Sequence, residues 1–525
     1  MDKRVAIFGG GIGGLTAAHY LSKLGWGVHV YEAKHALGGL ARSSRDPDGC
    51  ATEYCWRVYF SFYDNFLQVL SEIPTTSIGT SRDNLVVYEH ANLMAPLSLK
   101  DRILGYYHIL KGITSCDQRL DALDDVAWWD ALGSTSNSNL FRTIGPWLGM
   151  DRMKGSFKSV IKVGIEQQII PSYLASFGLG TYNDYITSEP TSEAIFTPWQ
   201  RSLEPNVTFH FGDDGTLVSL RSQDGRIVEA TTKTGRVSAD YFILAVPVEV
   251  LEKIIINSPS IDGDRIRLGA ISRLKDTCLH TQISMQLYFR QPISLGGKNA
   301  FLLVESPWDL IVVSYDQSYG SDTPLCEDIP EAKGGWSVAA TTAYIPGLNG
   351  KTLMECNERE IQDEMWNQLV SNPYLQNLVY TNNGFELDKT KLVKWTGLWP
   401  TFYNDPLDGK LKTTEPKFTN NAGSYKLRPS FRTYIPNLFI STAYIKETID
   451  IFSMEAACIA GKRVAHAIDE RSPDATIRPR PLILVPFRTI DSIFWRLGLP
   501  NPILLVFVLV MYMVAVSIHR MSQPD

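Results

Sequence analysis

The residues best equipped for chemistry crowd into the first forty-odd positions of the chain. Gly9, Gly11 and Gly14 fit G-x-G-x-x-G, with Gly13 inside the same loop. That spacing permits a tight turn, close backbone approach to a pyrophosphate, and close helix–strand packing. Glu32 stands 18 residues past Gly14, near the separation of about 20 at which a carboxylate meets an adenosine ribose hydroxyl; Ala33 follows it. Gly38 and Gly39 come next, and a second glycine pair lets further backbone N–H groups approach a dinucleotide already held by the first loop. No catalytic triad, paired carboxylate or metal cluster stands out elsewhere, so no side chain is assigned as catalytic and the chemistry falls to a bound cofactor.

These residues need elements to position them. Val5–Phe8 is a short apolar run suited to a buried parallel strand. A helix expected from about Leu15 to Leu24 would aim its free N–H groups and positive dipole end at the pyrophosphate. Val28–Tyr31 is the next strand, and Glu32 ends it.

Strand, loop, helix, second strand, acid and second glycine pair in this register resemble the opening of the FAD-dependent amine oxidase/phytoene desaturase superfamily, in particular its desaturase-like branch. The resemblance implies an α/β fold: a Rossmann-like (glutathione-reductase-type) FAD-binding domain with an inserted α+β substrate domain, here followed by a C-terminal apolar helix. Leu40 stands where the family usually carries Arg or Lys, which leaves Arg42 as the nearest cation for that role. Ala239–Pro247 is similar to the family segment A-D-x-V-I-x-A-x-P and puts Ala245 at a strand end, while Val218 is implied beside the adenine. Ile435–Gly461 is similar to the closing motif, where the Met454 backbone is implied at the flavin and Glu455 as a helix-start acid rather than a catalyst. Ala443 occupies a place usually held by an acid, and Asp450 loosely resembles a T-x-T-D element. The FAD is expected to be non-covalent, since no Cys lies between Cys356 and Cys458. The stretch Glu53–Tyr63 resembles E-x-x-W-R-x-x-x-x-F-Y; Arg57 either lies near the flavin or its phosphates, or pairs with Glu53.

The expected domains are 1–95, 191–251 and 395–470 for the FAD-binding body, 96–190 and 252–394 for the substrate domain, and 471–525 for an amphipathic segment and membrane tail. Trp128, Trp129 and Trp147 fall in the helical part, where aromatic spacing suits core packing or a substrate wall. Tyr434 and Trp399 are placed either as packing or as one wall of an aromatic cage. Strand-like runs occur at Gln282–Phe289, Phe301–Val304 and Ser337–Ala343.

Net charge is −6 with no long basic run, which argues against a nucleic-acid partner. Seven cysteines without C-x-x-C argue against a disulfide framework or zinc site, and with no signal peptide ahead of Val5 they favour a reducing compartment. Pro502–Ile518 carries no charge over 17 residues, about 25 Å of helix against a bilayer core of about 30 Å. Just before it, Phe487, Ile490, Phe494 and Leu497 share one helical face and Arg488, Asp491 and Trp495 lie off it, as in an interfacial segment. Arg478, Arg480, Arg488 and Arg496 precede the run, so the expectation is a single-pass tail anchor with the catalytic body toward the cytosol.

The function expected is that of a membrane-tethered FAD oxidoreductase that removes hydride from, or isomerises, an apolar, isoprenoid or carotenoid-like substrate, with O₂ or a quinone as acceptor. Two alternatives stand beside it: an amine or protoporphyrinogen-type oxidase, and a flavin-binding membrane protein that has lost catalysis, for which Leu40 and Ala443 are the motive.

Overall fold

The computed structural model describes residues 3–55, 57–93, 98–132, 144–316, 318–319, 323–506, 509 and 512–513. Trp56 and most of the apolar run after Val506 therefore lie outside the described residues.

The chain divides into two compact units: residues 1–94, 182–419 and 426–477 form the first, and 95–181, 420–425 and 478–525 the second. At the heart of the first is a five-stranded parallel sheet made of β1 (Arg4–Phe8), β2 (Gly27–Glu32), β3 (Val207–Phe211), β4 (Tyr241–Leu244) and β5 (Leu438–Ile440). Its order is β5-β4-β1-β2-β3. Val5, Ile7, Val30, Phe242 and Ile243 are fully enclosed, which explains the near-continuous apolar runs of the strands. A three-stranded antiparallel meander, Leu217–Gln223, Arg226–Thr232 and Arg236–Val237, leads into β4.

The helix α1 (Ile12–Lys23) begins three residues earlier than expected, because Gly11 already serves as its extended N-cap. It packs against α2 (Met454–Ile468). A Cβ on Gly461 would lie 2.6 Å from the Gly13 carbonyl, so only glycine permits this approach.

The rest of the first unit is built on a six-stranded sheet containing Ile283–Phe289, Ala300–Leu303, Leu310–Ser314 and Gly334–Ala340. All four strands are buried along their whole length, and the strands expected near Gln282, Phe301 and Ser337 are among them. The second unit is mainly helical, with Leu99–Thr114, Asp117–Ala122, Ile170–Ser176 and α3 (Val485–Arg496).

One expectation changes. Cys50 and Cys326 form a disulfide within the first unit, although their separation of 276 residues carries no local sequence signal. Folding brings the two backbones together in an isolated antiparallel bridge; the other five cysteines are free and buried. Among the described residues no helix is long and apolar enough to cross a membrane, and the expected helix at 502–518 falls largely outside them.

Candidate functional site

The turn between β1 and α1 owes its shape to what surrounds each glycine. A Cβ on Gly9 (φ +111°) would sit 2.2 Å from the Ala245 carbonyl, one on Gly13 2.2 Å from the Ser441 carbonyl, and one on Gly14 2.0 Å from the Gly9 carbonyl. These three glycines are demanded by the protein itself. Gly11 is different: a Cβ there meets nothing nearer than the Gly39 Cα at 3.8 Å. Gly39 (φ +57°) faces back, its Cβ position 3.3 Å from the Gly11 Cα. Gly11 and Gly39 thus pack backbone against backbone across a closed slit at the positive end of α1, and Gly38 N–H ties the two glycine segments by donating to the Gly10 carbonyl at 2.9 Å. A glycine-lined backbone cradle at a helix start suits a pyrophosphate lying along it.

Glu32 sits at the end of β2, buried, and accepts from Gly10 N–H at 2.7 Å and Lys34 N–H at 2.8 Å. Burial raises its carboxyl above the usual range against the pull of those two bonds. Ala33, next in line, is exposed. Val218 is 37% exposed in the meander, so any ligand contact there is made from the surface.

Beyond the slit, Arg42 donates to the Gly39 carbonyl at 2.7 Å and clasps Glu415 with bonds of 2.9 and 2.8 Å. Its guanidinium lies 5.2 Å from the centre of the Trp399 ring, whose Nε1 also donates to Glu415 at 3.3 Å. The charge of Arg42 is therefore shared with a carboxylate that also meets Lys34 at 3.3 Å. Leu40 contributes its carbonyl, which accepts from Arg57; Arg57 also donates to the Cys55 carbonyl. The guanidinium also lowers the carboxyl of Glu53 electrostatically, although burial dominates and leaves that carboxyl raised. Arg57 thus belongs to the rim of the cradle and influences Glu53 from there. Glu53 itself accepts from Thr191 N–H and Oγ1 at 3.2 and 2.8 Å.

The closing segment completes the site. Ser441 Oγ donates to the Gly13 carbonyl at 2.9 Å and pins the turn after β5 to α1. Ala443 is buried in that turn and Tyr444 O–H donates to the Val246 carbonyl at 3.0 Å. Met454 opens α2, half-buried, with Ser453 Oγ accepting from Ala456 N–H at 3.2 Å. Glu455 is fully occupied elsewhere. It accepts from Asn65 N–H and Nδ2 at 3.0 and 2.7 Å and from Phe66 N–H at 2.8 Å, which caps the helix Asp64–Ser71. Asp450 forms a buried pair with Arg428 at 2.6 Å.

Three groups had no sequence signal. Glu415 reaches Arg42 across 373 residues. Lys417 donates to Gln282 Oε1 at 2.5 Å; burial lowers its ammonium below the usual range, Cys55 opposing and Arg57 adding to the effect. Glu249, in the first turn of the helix after β4, has one buried carboxylate oxygen without a hydrogen-bond partner, and burial pushes its carboxyl up to about 7. Its charge is felt by Tyr54 and Tyr444, so it faces the region between the slit and the closing turn. Tyr434, by contrast, accepts from Asp262 N–H under the Arg265 guanidinium and serves packing.

Known proteins resemble the chain over a short stretch of sequence and in overall fold. The family model of the NAD(P)-binding Rossmann-like domain matches residues 7–73. Over 70 residues, 13% of the chain, the sequence is 40% identical to the 15-cis-phytoene desaturase of Synechococcus elongatus. Matched segments cover 14 to 17% of the length of the curated relatives. In fold the chain is similar to the protein assigned as a protoporphyrinogen oxidase in Exiguobacterium sp. 255-15, with a TM-score of 0.56 and 15% identity over 90% of this chain and 100% of that one. It is equally similar to the cyclohexylamine oxidase of Brevibacterium oxydans, with a TM-score of 0.56 and 14% identity over 90% and 99% of the two chains.

Proposed function

We propose that this chain, a member of the FAD-dependent amine oxidase and desaturase superfamily, is an FAD-dependent oxidoreductase acting on an apolar, isoprenoid-like substrate at a membrane. The observation that carries the cofactor is the glycine-lined start of α1, where Gly11 and Gly39 meet backbone to backbone and present no side chain to a pyrophosphate lying along it. When bound, FAD supplies the hydride acceptor.

The chain's own residues then have defined tasks. Gly9, Gly11, Gly38 and Gly39 offer backbone to the pyrophosphate, and Glu32 holds the adenosine ribose. Ala245 and Ala443 border the cofactor without charge, and the amino end of α2 at Met454 favours negative charge on the reduced flavin. Trp399, clamped with Arg42 by Glu415, and the buried ring of Tyr54 exclude water from the reacting side. The 40% identity with a 15-cis-phytoene desaturase over 70 residues supports hydride removal from, or isomerisation of, a lipophilic substrate. O₂ or a quinone would reoxidise the flavin, and the uncharged run 502–518 would tether the body to a bilayer as a tail anchor, facing the cytosol.

Full-length protein purified in detergent tests the cofactor: it should be yellow, absorbing near about 450 nm, and release FAD on denaturation. Colourless protein that FAD does not reconstitute would remove the oxidoreductase reading. Anaerobic bleaching by an isoprenoid polyene supports the substrate class, whereas bleaching by polyamines alone transfers the protein to the amine oxidases.

A further inference from the structure

The second unit wears its apolar side chains outside. Among the described residues, 22 of the 30 large hydrophobic side chains most open to solvent belong to it, although it holds well under a third of the chain. The helix α3 is the clearest case. Phe487, Ile490, Ile493 and Leu497 are 47 to 66% exposed, whereas the polar side turns inward. Asp491 is fully buried and accepts from Cys116 N–H at 2.8 Å and Arg119 Nε at 2.9 Å. Arg488 donates to the Ile113 carbonyl at 3.0 Å and to Glu166 at 3.1 Å. A surface helix in water has the opposite arrangement.

A neighbouring segment repeats the pattern. Tyr173, Phe177 and Leu179 are 65 to 68% exposed around Gly178 and Gly180, on a helix end and loop. A cavity of about 290 Å³ is lined by Leu174 and Leu179 from this segment and by Pro479 and Pro481 from the stretch that leads into α3. The segment therefore meets the stretch 478–481 from which α3 starts.

We infer that α3 and residues 169–179 form one docking face that lies in the interfacial layer of a lipid bilayer, with α3 along the membrane plane. The inference rests on the membrane reading above but not on the tail as a span. A bilayer is the occupant because the face runs on into the uncharged sequence 502–518, which begins six residues after Arg496 ends α3. Arg480 and Arg488 turn inward onto Glu166, so Arg496 at the end of α3 is the exposed arginine of that helix and the face is more apolar than basic. Docking should therefore proceed on neutral lipid and survive salt, unlike attraction by a polybasic patch.

Environment-sensitive fluorophores on full-length L179C, I490C and L509C proteins, all other cysteines being buried or disulfide-bonded, test this with phosphatidylcholine vesicles. The 179 and 490 probes should shift to the blue and be quenched by shallow spin-labelled lipid, with little change in 0.5 M NaCl (a salt level of about 4 Å Debye length). If only the 509 probe is quenched, the docking face is wrong and the tail reading survives. If none is quenched, both fail. Probes at 179 and 490 already shielded without lipid, in a concentration-dependent dimer, would assign the face to a second copy and overturn the proposal.

Discussion

Within one loop, neighbouring glycines serve different masters. A methyl group at Gly14 would strike the Gly9 carbonyl at 2.0 Å, whereas one at Gly11 would only make ordinary contact with the Gly39 Cα at 3.8 Å. G14A should therefore cost about 3 kcal/mol of stability, the upper range of overpacking, visible in a urea melt of the apoprotein. G11A should melt within about 0.5 kcal/mol of the parent, as a substitution that makes only ordinary contacts does, yet lose FAD affinity at least tenfold by fluorescence titration. Equal melting of the two variants would refute this division. The motif was legible in the sequence because its spacing alone marks it, even though Gly9 and Gly13 meet Ala245 and Ser441 only through folding. Glu249 and Glu415 were not, because an isolated acid acquires a role only from the partners that folding brings to it.

At the level of elements, Glu455 links the start of α2 to the helix Asp64–Ser71. Burial pushes its carboxyl up to about 7 against three N–H bonds that favour the charged form. A raised pKa in the folded state means that this group's contribution is complete below about pH 4.5 and is lost as pH rises through about 7. Stability should thus fall between pH 5 and pH 8 by up to about 3 kcal/mol from this residue alone. E455Q should flatten that part of the profile in urea melts, and a parallel decline in variant and parent would assign the slope to other acids. The Arg428–Asp450 pair, 2.6 Å apart with both side chains at most 1% exposed, is a second buried link. R428M should cost about 3–5 kcal/mol, since it strands a buried carboxylate, and D450N/R428M should recover part of that loss.

For the whole molecule, the disulfide between Cys50 and Cys326 ties the turn after Ser43–Arg45 to a loop 276 residues away. Alkylation of the denatured, unreduced protein should modify five cysteines, and seven after reduction. Seven in both cases would show that the pair is a dithiol. C50S/C326S should lower stability by about 2–4 kcal/mol, as loss of a native cross-link usually does.

The sequence alone determined what is local in cause. The β1–α1–β2 unit follows from apolar runs, glycine spacing and an acid at a strand end, and the helix 485–496 follows from its periodicity. Periodicity shows that a helix has two faces; it does not say which one turns outward. Only the tertiary structure decided that, because Asp491 and Arg488 find their partners Arg119 and Glu166 more than 300 residues earlier in the chain. Once those charges are satisfied inside, the apolar face has nowhere to go but out. The same long-range pairing gave Arg42 to Glu415 and Cys50 to Cys326, since such contacts depend on where the chain returns and not on which residues stand next to one another.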